Sequence, residues 1–451
     1  MELTFEELLK YCNGKVIVDN NNKSFNILST DTRNIKEGNV FLSLKGENFN
    51  GNKYIKEAFN KGATIAIVDE VLFDENDIEG VVIKVEDGKK ALLNIAKGYR
   101  EKLGLKVVGI TGSTGKTSTK DLVSAFLSGK YKVFKTKGNF NNEIGLPLMV
   151  LQLDSSIDVA VLEMGMSDFN EIHNLVDCAR PDIAIITNIG VSHIENLKTR
   201  DNILKAKMEI TDFFNENNIL ILNEEDDMLQ KVRDKEYEIV KIGYNENYNY
   251  YASNIELTKE TTSFDLNFKG ETHRIILPMV GAHNVLNALL GIAASFKLGL
   301  TVDEIINGLK NIEATSMRLE FIDGDGIEII NDCYNASPDS MKAALDVLSS
   351  REGRKIAILG TMRELGDKAA SCHREVAEYA NDKVDMLISC GEFIEDFKEG
   401  FEKEEIKLYN TKVSLINDLN SIIKPQDVIL VKASRGEKFE EIVEALKNIK
   451  Q

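Results

Sequence analysis

KVVGITGSTGKTSTKD, residues 106–121, decides how the rest of this chain is read. An apolar run (Val107, Val108, Ile110) passes into a small glycine-rich turn and then into a helical pattern carrying Leu122, Val123 and Phe126. That order suits a phosphate-binding loop: a buried strand, a turn of free backbone N–H groups, and a helix N-terminus aimed at an anion. Lys116 then reaches terminal phosphates, and the Thr117 hydroxyl is placed to ligate Mg²⁺. The usual spacing asks for glycine six residues before the lysine; Ile110 stands there instead, with Gly109, Gly112 and Gly115 around it. Taken alone, the stretch leaves open a plain strand-to-helix turn capped by Ser113 or Thr114.

Outward from this loop, residues 106–312 alternate strand and helix patterns, which implies a mostly parallel sheet with crossover helices. Residues 158–163 (DVAVLE) and 182–187 (DIAIIT) are short apolar runs of the kind covered on both faces. Each ends in polar residues, at the edge where α/β proteins collect their sites: Glu163 after the first, Asn188 to His193 after the second. Mg²⁺ needs few protein ligands because it keeps waters and takes phosphate oxygens, so Glu163 with Thr117 suffices. His193 is an unusual Mg²⁺ ligand, and only its position beside the phosphate loop points to function. Lys207 lies in a helical stretch that reads equally as a solvated basic face. Period-two segments at 262–268 and 273–277 predict antiparallel hairpins. Asn284 and Asn287 share a helix face, where they either read an adenine edge or cap.

Residues 1–104 predict strands at 40–44, 64–68 and 81–85 and helices at 52–61 and 89–103. Two polar turns, 29–33 and 45–51, offer Arg33 or Lys45 to a phosphate, or are surface turns. Residues 313–451 form a second α/β series, with strands expected at 327–331, 355–359, 385–389 and 427–431. Polar segments follow those strands at 332–338, 360–366 and 432–436, so one sheet edge gathers three of them.

Composition narrows the class. With 451 residues, 43% hydrophobic and 28% charged, the chain is of soluble globular type and long enough for about three domains. A net charge of −18 argues against nucleic-acid or anionic-membrane surfaces, and no run of eighteen uninterrupted apolar residues occurs. The opening MELTFEELLKYC reads as an acidic amphipathic helix rather than a signal peptide. Five cysteines without CxxC spacing indicate reduced thiols in a cytoplasmic protein.

These motifs together resemble the Mur ligases over essentially the whole chain. GITGSTGKTSTK (109–120) is similar to the family's own phosphate loop, which accounts for Ile110. NFNNEIGLP (139–147), LEMGMS (162–167), TNIGVSHIENL (187–197), AKMEI (206–210) and GAHNVLNAL (281–289) follow in family order. DCYNASPDSM (332–341), LGTMRELG (359–366) and the opening 29–55 resemble the branch that adds D-alanyl-D-alanine; Asn52-Lys53 departs from the His-Asp of many relatives.

The resemblance implies an α/β chain of three domains: a UDP-binding domain at 1–104, a central P-loop ATPase domain at 105–313 and a Rossmann-like domain at 314–451. It implies an ATP-dependent ligase joining D-alanyl-D-alanine to UDP-N-acetylmuramoyl-tripeptide through an acyl phosphate, in peptidoglycan synthesis. Gly112, Ser113, Thr114, Gly115, Lys116, Thr117 and Ser118 would hold ATP, with Asn284 and Asn287 at adenine and Arg318, Asp332 and Tyr334 completing that site. Thr117 and Glu163 would bind one Mg²⁺; His193 and a carbamylated Lys207 would bind a second. Thr32, Arg33 and Lys45 would face UDP, Asn142 and Glu143 the substrate near the phosphates, and Lys432, Ser434 and Arg435 the reacting peptide or dipeptide. A monomer that closes its C-terminal domain over ATP is expected, without nucleic-acid or membrane partners. The alternatives are another Mur ligase, a folylpolyglutamate synthase-like amide ligase, and a nucleotide binder without catalysis.

Overall fold

The computed structural model describes residues 1–20, 22–313 and 315–449. Among them strands build three main sheets of five, nine and six strands, joined in chain order. The first runs Lys15–Val18, Val81–Lys84, Ala63–Val68, Asn39–Leu42, Leu28–Ser29, parallel except for its first strand. The expected strands are present within a residue or two. The expected helix at 52–61 begins as a short 3-10 turn, Gly51–Tyr54, before Ile55–Asn60. Asn52 explains that start: its buried amide joins Asn50, Ser43 and Asp69 and fixes a turn instead of a helical cap.

In the large sheet Lys106–Thr111 lies between Val159–Glu163 and Ile183–Ile186, all parallel. The chain leaves it toward one edge, through Val133–Lys135, and later continues to the other, so a topological switch point falls at its carboxyl end. Ile219–Asn223, Glu238–Gly243 and Tyr250–Leu257 extend the parallel order. Thr262–Phe268 and Glu271–Leu277 close it as the expected antiparallel ribbon. Val108, Ile110, Ile185 and Val161 face the Lys116–Leu127 and His283–Lys297 helices in one apolar core. The third sheet runs Glu320–Asp323, Glu328–Asn331, Asp427–Lys432, Arg354–Gly360, Met386–Cys390, Ile406–Tyr409, parallel except for its first strand. All five cysteines are free and buried.

The Gly88–Leu103 helix docks the first unit on the second. It is capped by Asp87 at its start and by left-handed Gly104 at its end. Its buried stripe packs against Phe5–Cys12 on one side and Gly145–Val150 and Glu171–Ala179 on the other. Tyr99 is fully buried there, donating its hydroxyl to the Leu153 carbonyl at 2.6 Å and accepting from the Glu2 amide at 3.2 Å. Removing only the hydroxyl leaves the carbonyl unpaired; removing the ring also opens a cavity. Tyr99→Phe is therefore expected to cost about 1 kcal/mol and Tyr99→Ala about 3–5 kcal/mol, read in the first urea transition followed by circular dichroism.

Candidate active site

Two glycines set the loop between Lys106–Thr111 and the Lys116–Leu127 helix. Gly112 has φ +149°, and a Cβ there would fall 1.8 Å from Thr187 Oγ1. Gly115 has φ +76°, and a Cβ there would fall 2.9 Å from Asn287 Oδ1. Close approach of neighbouring side chains, and left-handed backbone at Gly115, are what these positions require. The neighbouring strand tip then pins the loop. Thr187 Oγ1 donates to the Thr114 carbonyl at 2.5 Å, and Asn188 accepts the Thr114 amide at 3.0 Å and donates to its hydroxyl at 2.8 Å. The Gly190 amide donates to Ser113 Oγ at 2.9 Å.

Lys116 curls back over this loop, its Nζ 2.8 Å from the Gly112 carbonyl. Desolvation holds its ammonium below the ordinary lysine range, with Glu163 opposing that shift and Arg318 adding to it. Thr117 is buried, donates to Glu163 Oε2 at 2.9 Å, and accepts from Arg318 Nη2 at 2.9 Å. The second Glu163 oxygen accepts from Asn141 at 2.9 Å, and the Glu163 amide donates to Thr136 Oγ1 at 2.9 Å. Arg318 comes from the segment entering the third sheet. Its guanidinium lies 4.2 Å from the centre of the Tyr334 ring, and its Nε is buried with no partner among the described residues.

A cavity of about 880 Å³ opens between the second and third sheets, lined by residues 113–118, Asn284, Asn287, Arg318, Asp332 and Lys432. Asn284 and Asn287 are buried and spend much of their capacity locally. Asn284 donates to the Val280 carbonyl at 2.9 Å, Asn287 donates to Asn284 at 3.2 Å, and Thr119 donates to Asn287 at 3.2 Å. Asp332 accepts the Leu319 amide at 3.1 Å and Lys432 Nζ at 2.5 Å; Lys432 also donates to the Asn335 carbonyl at 2.9 Å. Tyr334 stands behind Arg318. Ser434 accepts the Arg363 amide at 2.9 Å, and Arg435 pairs with Glu440 at 3.2 Å.

Lys207 is 1% exposed, and its side chain makes no hydrogen bond or ion pair among the described residues. Desolvation, with the Lys116 charge adding to it, holds its amine well below the lysine range. His193 Nδ1 stands 2.7 Å from Glu364 Oε2 across the cleft, off hydrogen-bonding direction. The remaining expected residues lie away from the cavity. Arg33 is exposed and pairs with Asp31 at 2.7 Å, which brings that carboxyl down to about 2; Thr32 accepts Lys61 on its carbonyl. Lys45 pairs with Glu70 at 2.9 Å. Asn142 caps the turn into Gly145–Val150, accepting the Gly145 amide at 2.8 Å. Glu143 binds Asn174 and Lys89, a bridge between the first two units. Sequence reasoning gave no role to Asn141, Thr136, Asn188 or Glu364; all four lie in or beside the quoted motifs, and only their neighbours in space reveal them.

Family models match along the chain: "Mur ligase family, catalytic domain" over residues 24–100, "Mur ligase middle domain" over 110–295 and "Mur ligase, glutamate ligase domain" over 317–435. A Bacillus subtilis (strain 168) protein named UDP-N-acetylmuramoyl-tripeptide--D-alanyl-D-alanine ligase is 40% identical over 93% of this chain and 92% of its own. The crystal structure I of MurF from Acinetobacter baumannii superposes with a TM-score of 0.92 at 30% identity, covering 98% of each chain. MurF ligase from Thermotoga maritima in complex with ADP superposes at 0.82 with 31% identity, over 93% of this chain and 97% of that one.

Gly115→Ala forces both a left-handed alanine and a clash with Asn287. It is expected to weaken ATP binding by about tenfold or more in calorimetric titration, and Asn287→Ala in the same chain is expected to restore only part, because the backbone strain remains.

Proposed function

The chain belongs to the Mur ligase family, and on that premise we propose that it joins D-alanyl-D-alanine to UDP-N-acetylmuramoyl-tripeptide at the expense of ATP. The observation that carries this reading is the meeting of Lys116, the Thr117–Glu163 pair and Arg318 at one sheet edge. A carboxylate reaches a γ-phosphate only where the charge of both anions is screened, and this edge concentrates that screening. The named relatives favour this branch over a folate-type ligase or a non-catalytic binder.

The tripeptide's terminal carboxylate attacks the γ-phosphorus; an O–P bond forms, the bond to ADP breaks, and an acyl phosphate results. The amine of D-alanyl-D-alanine then attacks the acyl carbon, a C–N bond forms, and phosphate leaves with the C–O bond. Amides of residues 113–118 cradle phosphates, Lys116 and Arg318 face the charge that develops, and Asn284 and Asn287 wall the adenine end. Thr32, Arg33 and Lys45 take the UDP end, Asn142 and Glu143 the peptide side, and Lys432, Ser434 and Arg435 support the incoming dipeptide. The working division is 1–104, 105–313 and 314–451; Ala314, Lys450 and Gln451 lie outside the described residues. We place the enzyme in the cytoplasm, where its co-substrate ATP is held, and propose that it acts as a monomer; among the described residues no helix is long and apolar enough to cross a membrane.

The residues fit a hard cation. The Thr117 hydroxyl and the Glu163 carboxylate are adjacent, buried oxygen donors. Mg²⁺ held there, and a second ion held by His193 and a carbamylated Lys207, would screen the phosphate charge. A buried, partnerless amine held well below the lysine range is a free nucleophile for CO₂, forming an N–C bond, releasing a proton and becoming an anionic oxygen donor.

Phosphate release with ATP, the tripeptide nucleotide in its lysine and diaminopimelate forms, and D-alanyl-D-alanine tests the reading. Release is expected only with all three components, to be absent when single amino acids replace the dipeptide, and to fall by about a hundredfold or more in Lys116→Ala. Release indifferent to the dipeptide would refute it. For the carbamate, ¹³C-bicarbonate should give a carbamate carbon resonance in the wild type that is missing from Lys207→Ala. Activity in CO₂-depleted buffer should drop and recover on adding bicarbonate.

A further inference from the structure

We propose that Glu364 is the docking group for the ammonium of the incoming dipeptide, a substrate-orienting residue delivered by the third sheet. This rests on the ligase reading above. Glu364 belongs to the LGTMRELG segment, which follows the Arg354–Gly360 strand and which the sequence could only single out.

Its presentation is built. Glu364 has φ +66°, a left-handed backbone that is strained for a residue with a side chain and persists only where the surroundings hold it. They do. His373 is fully buried, accepts the Met362 amide on Nε2 at 2.8 Å and bonds the Ala369 carbonyl through Nδ1 at 2.7 Å, so one imidazole ties both ends of the loop. Phe393 stacks on that ring at 4.3 Å. Ser434 holds the Arg363 amide, and the Glu364 carbonyl accepts the Glu195 amide from across the cleft at 3.3 Å. Arg363 itself turns away to Glu437.

A loop held this firmly presents a half-exposed carboxylate at the cleft. The Glu364 side chain is 54% exposed, and His193 is its one polar side-chain partner among the described residues, off hydrogen-bonding direction. It is close enough to Lys116 for each charge to act on the other. Position selects the ligand. Ser192 lines the nucleotide cavity, whereas His193 and Glu364 do not, so Glu364 stands outside that cavity and near Lys116. In-line transfer puts the attacking carboxylate on the side of the γ-phosphorus opposite ADP. The second nucleophile must meet the acyl carbon on that same side, and it arrives as an ammonium that gives up a proton to solvent before its nitrogen attacks. A fixed anion there orients it and offsets the phosphate-directed cations nearby.

Full-length Glu364→Gln, Glu364→Asp and Glu195→Gln test this against the wild type. Hydroxylamine, neutral at assay pH, traps the acyl phosphate without needing an anion to dock, so trapping in the absence of dipeptide reports folding and the first half-reaction. Glu364→Gln is expected to raise KM for D-alanyl-D-alanine by about tenfold or more. KM for ATP and the trapping rate should stay within about twofold of wild type, with Glu364→Asp intermediate. An unchanged dipeptide KM, an equal loss in trapping, or the same effect from Glu195→Gln overturns the proposal. A wild-type enzyme without dipeptide-dependent phosphate release removes the ligase reading and this inference with it, a result read before any substitution is made.

Discussion

One shared hydroxyl holds the site together: Thr117 donates to Glu163 and accepts from Arg318, so three elements meet on a single oxygen. Two like-charged anions brought within about 4 Å repel by about 4 kcal/mol even at an intermediate effective dielectric, and no single lysine offsets that together with a triphosphate. Positive charge has to come from more than one domain. The backbone around Arg318 records the cost of bringing it. Met317 and Leu319, its neighbours on both sides, are left-handed at φ +61° and +47°. Their conformation is held by the Leu319 amide on Asp332, the Met317 amide on Glu320 at 3.0 Å, and the Tyr334 amide on the Met317 carbonyl at 3.1 Å. Asp332 and Lys432 are then best understood as the brace of this strap. Their buried pairing fixes the segment that carries Arg318, while both residues still line the cavity.

That brace is the part a sequence cannot announce. The phosphate loop was legible because its chemistry is local: apolar strand, glycines, lysine and threonine in one run. The strand tips carrying Glu163 and His193 were legible because a parallel sheet sends every tip to one edge. Lys207 reads as a solvated basic face by spacing, since desolvation is a property of the packed helix and not of AKMEI; only the family pattern gave it another role. Asn284 and Asn287 show the reverse. Their spacing announced a shared face, but not that they would bond each other and that Asn287 would hold the loop helix through Thr119. Glu364 was hidden for both reasons, because neither its left-handed backbone nor His373 beneath the loop leaves a mark in RELG.

The three units are not joined alike. The Gly88–Leu103 helix lies against two helices of the central unit, with Tyr99, Leu92 and Ile95 buried in a common core. Opening that joint exposes apolar surface at about 25 cal/mol per Å², which makes it effectively rigid. On the other side, the principal contact between elements is the short Ile194–Leu197 turn against Gly366–Lys368. Polar pairs cross it as well, Thr315 to the buried Asp121 at 2.6 Å, Lys259 to Glu352 at 2.8 Å, and Glu364 to His193, and the apolar cluster runs on through it from Ile194 and Leu197 to Met341 and Leu365. Exposed ion pairs are worth about 0–1 kcal/mol each, and they can be exchanged for water or for a charged ligand with little loss. Arg318 and Glu364 reach across this joint, whose exposed pairs are the cheaper part of it. Both of the charges that this unit adds to the reaction centre therefore depend on how it is seated, whereas the phosphate loop and the first unit are tied through the Gly88–Leu103 helix. A water-sensitive acyl phosphate needs such a site, in which charge from a second unit completes the centre and helps to cover it.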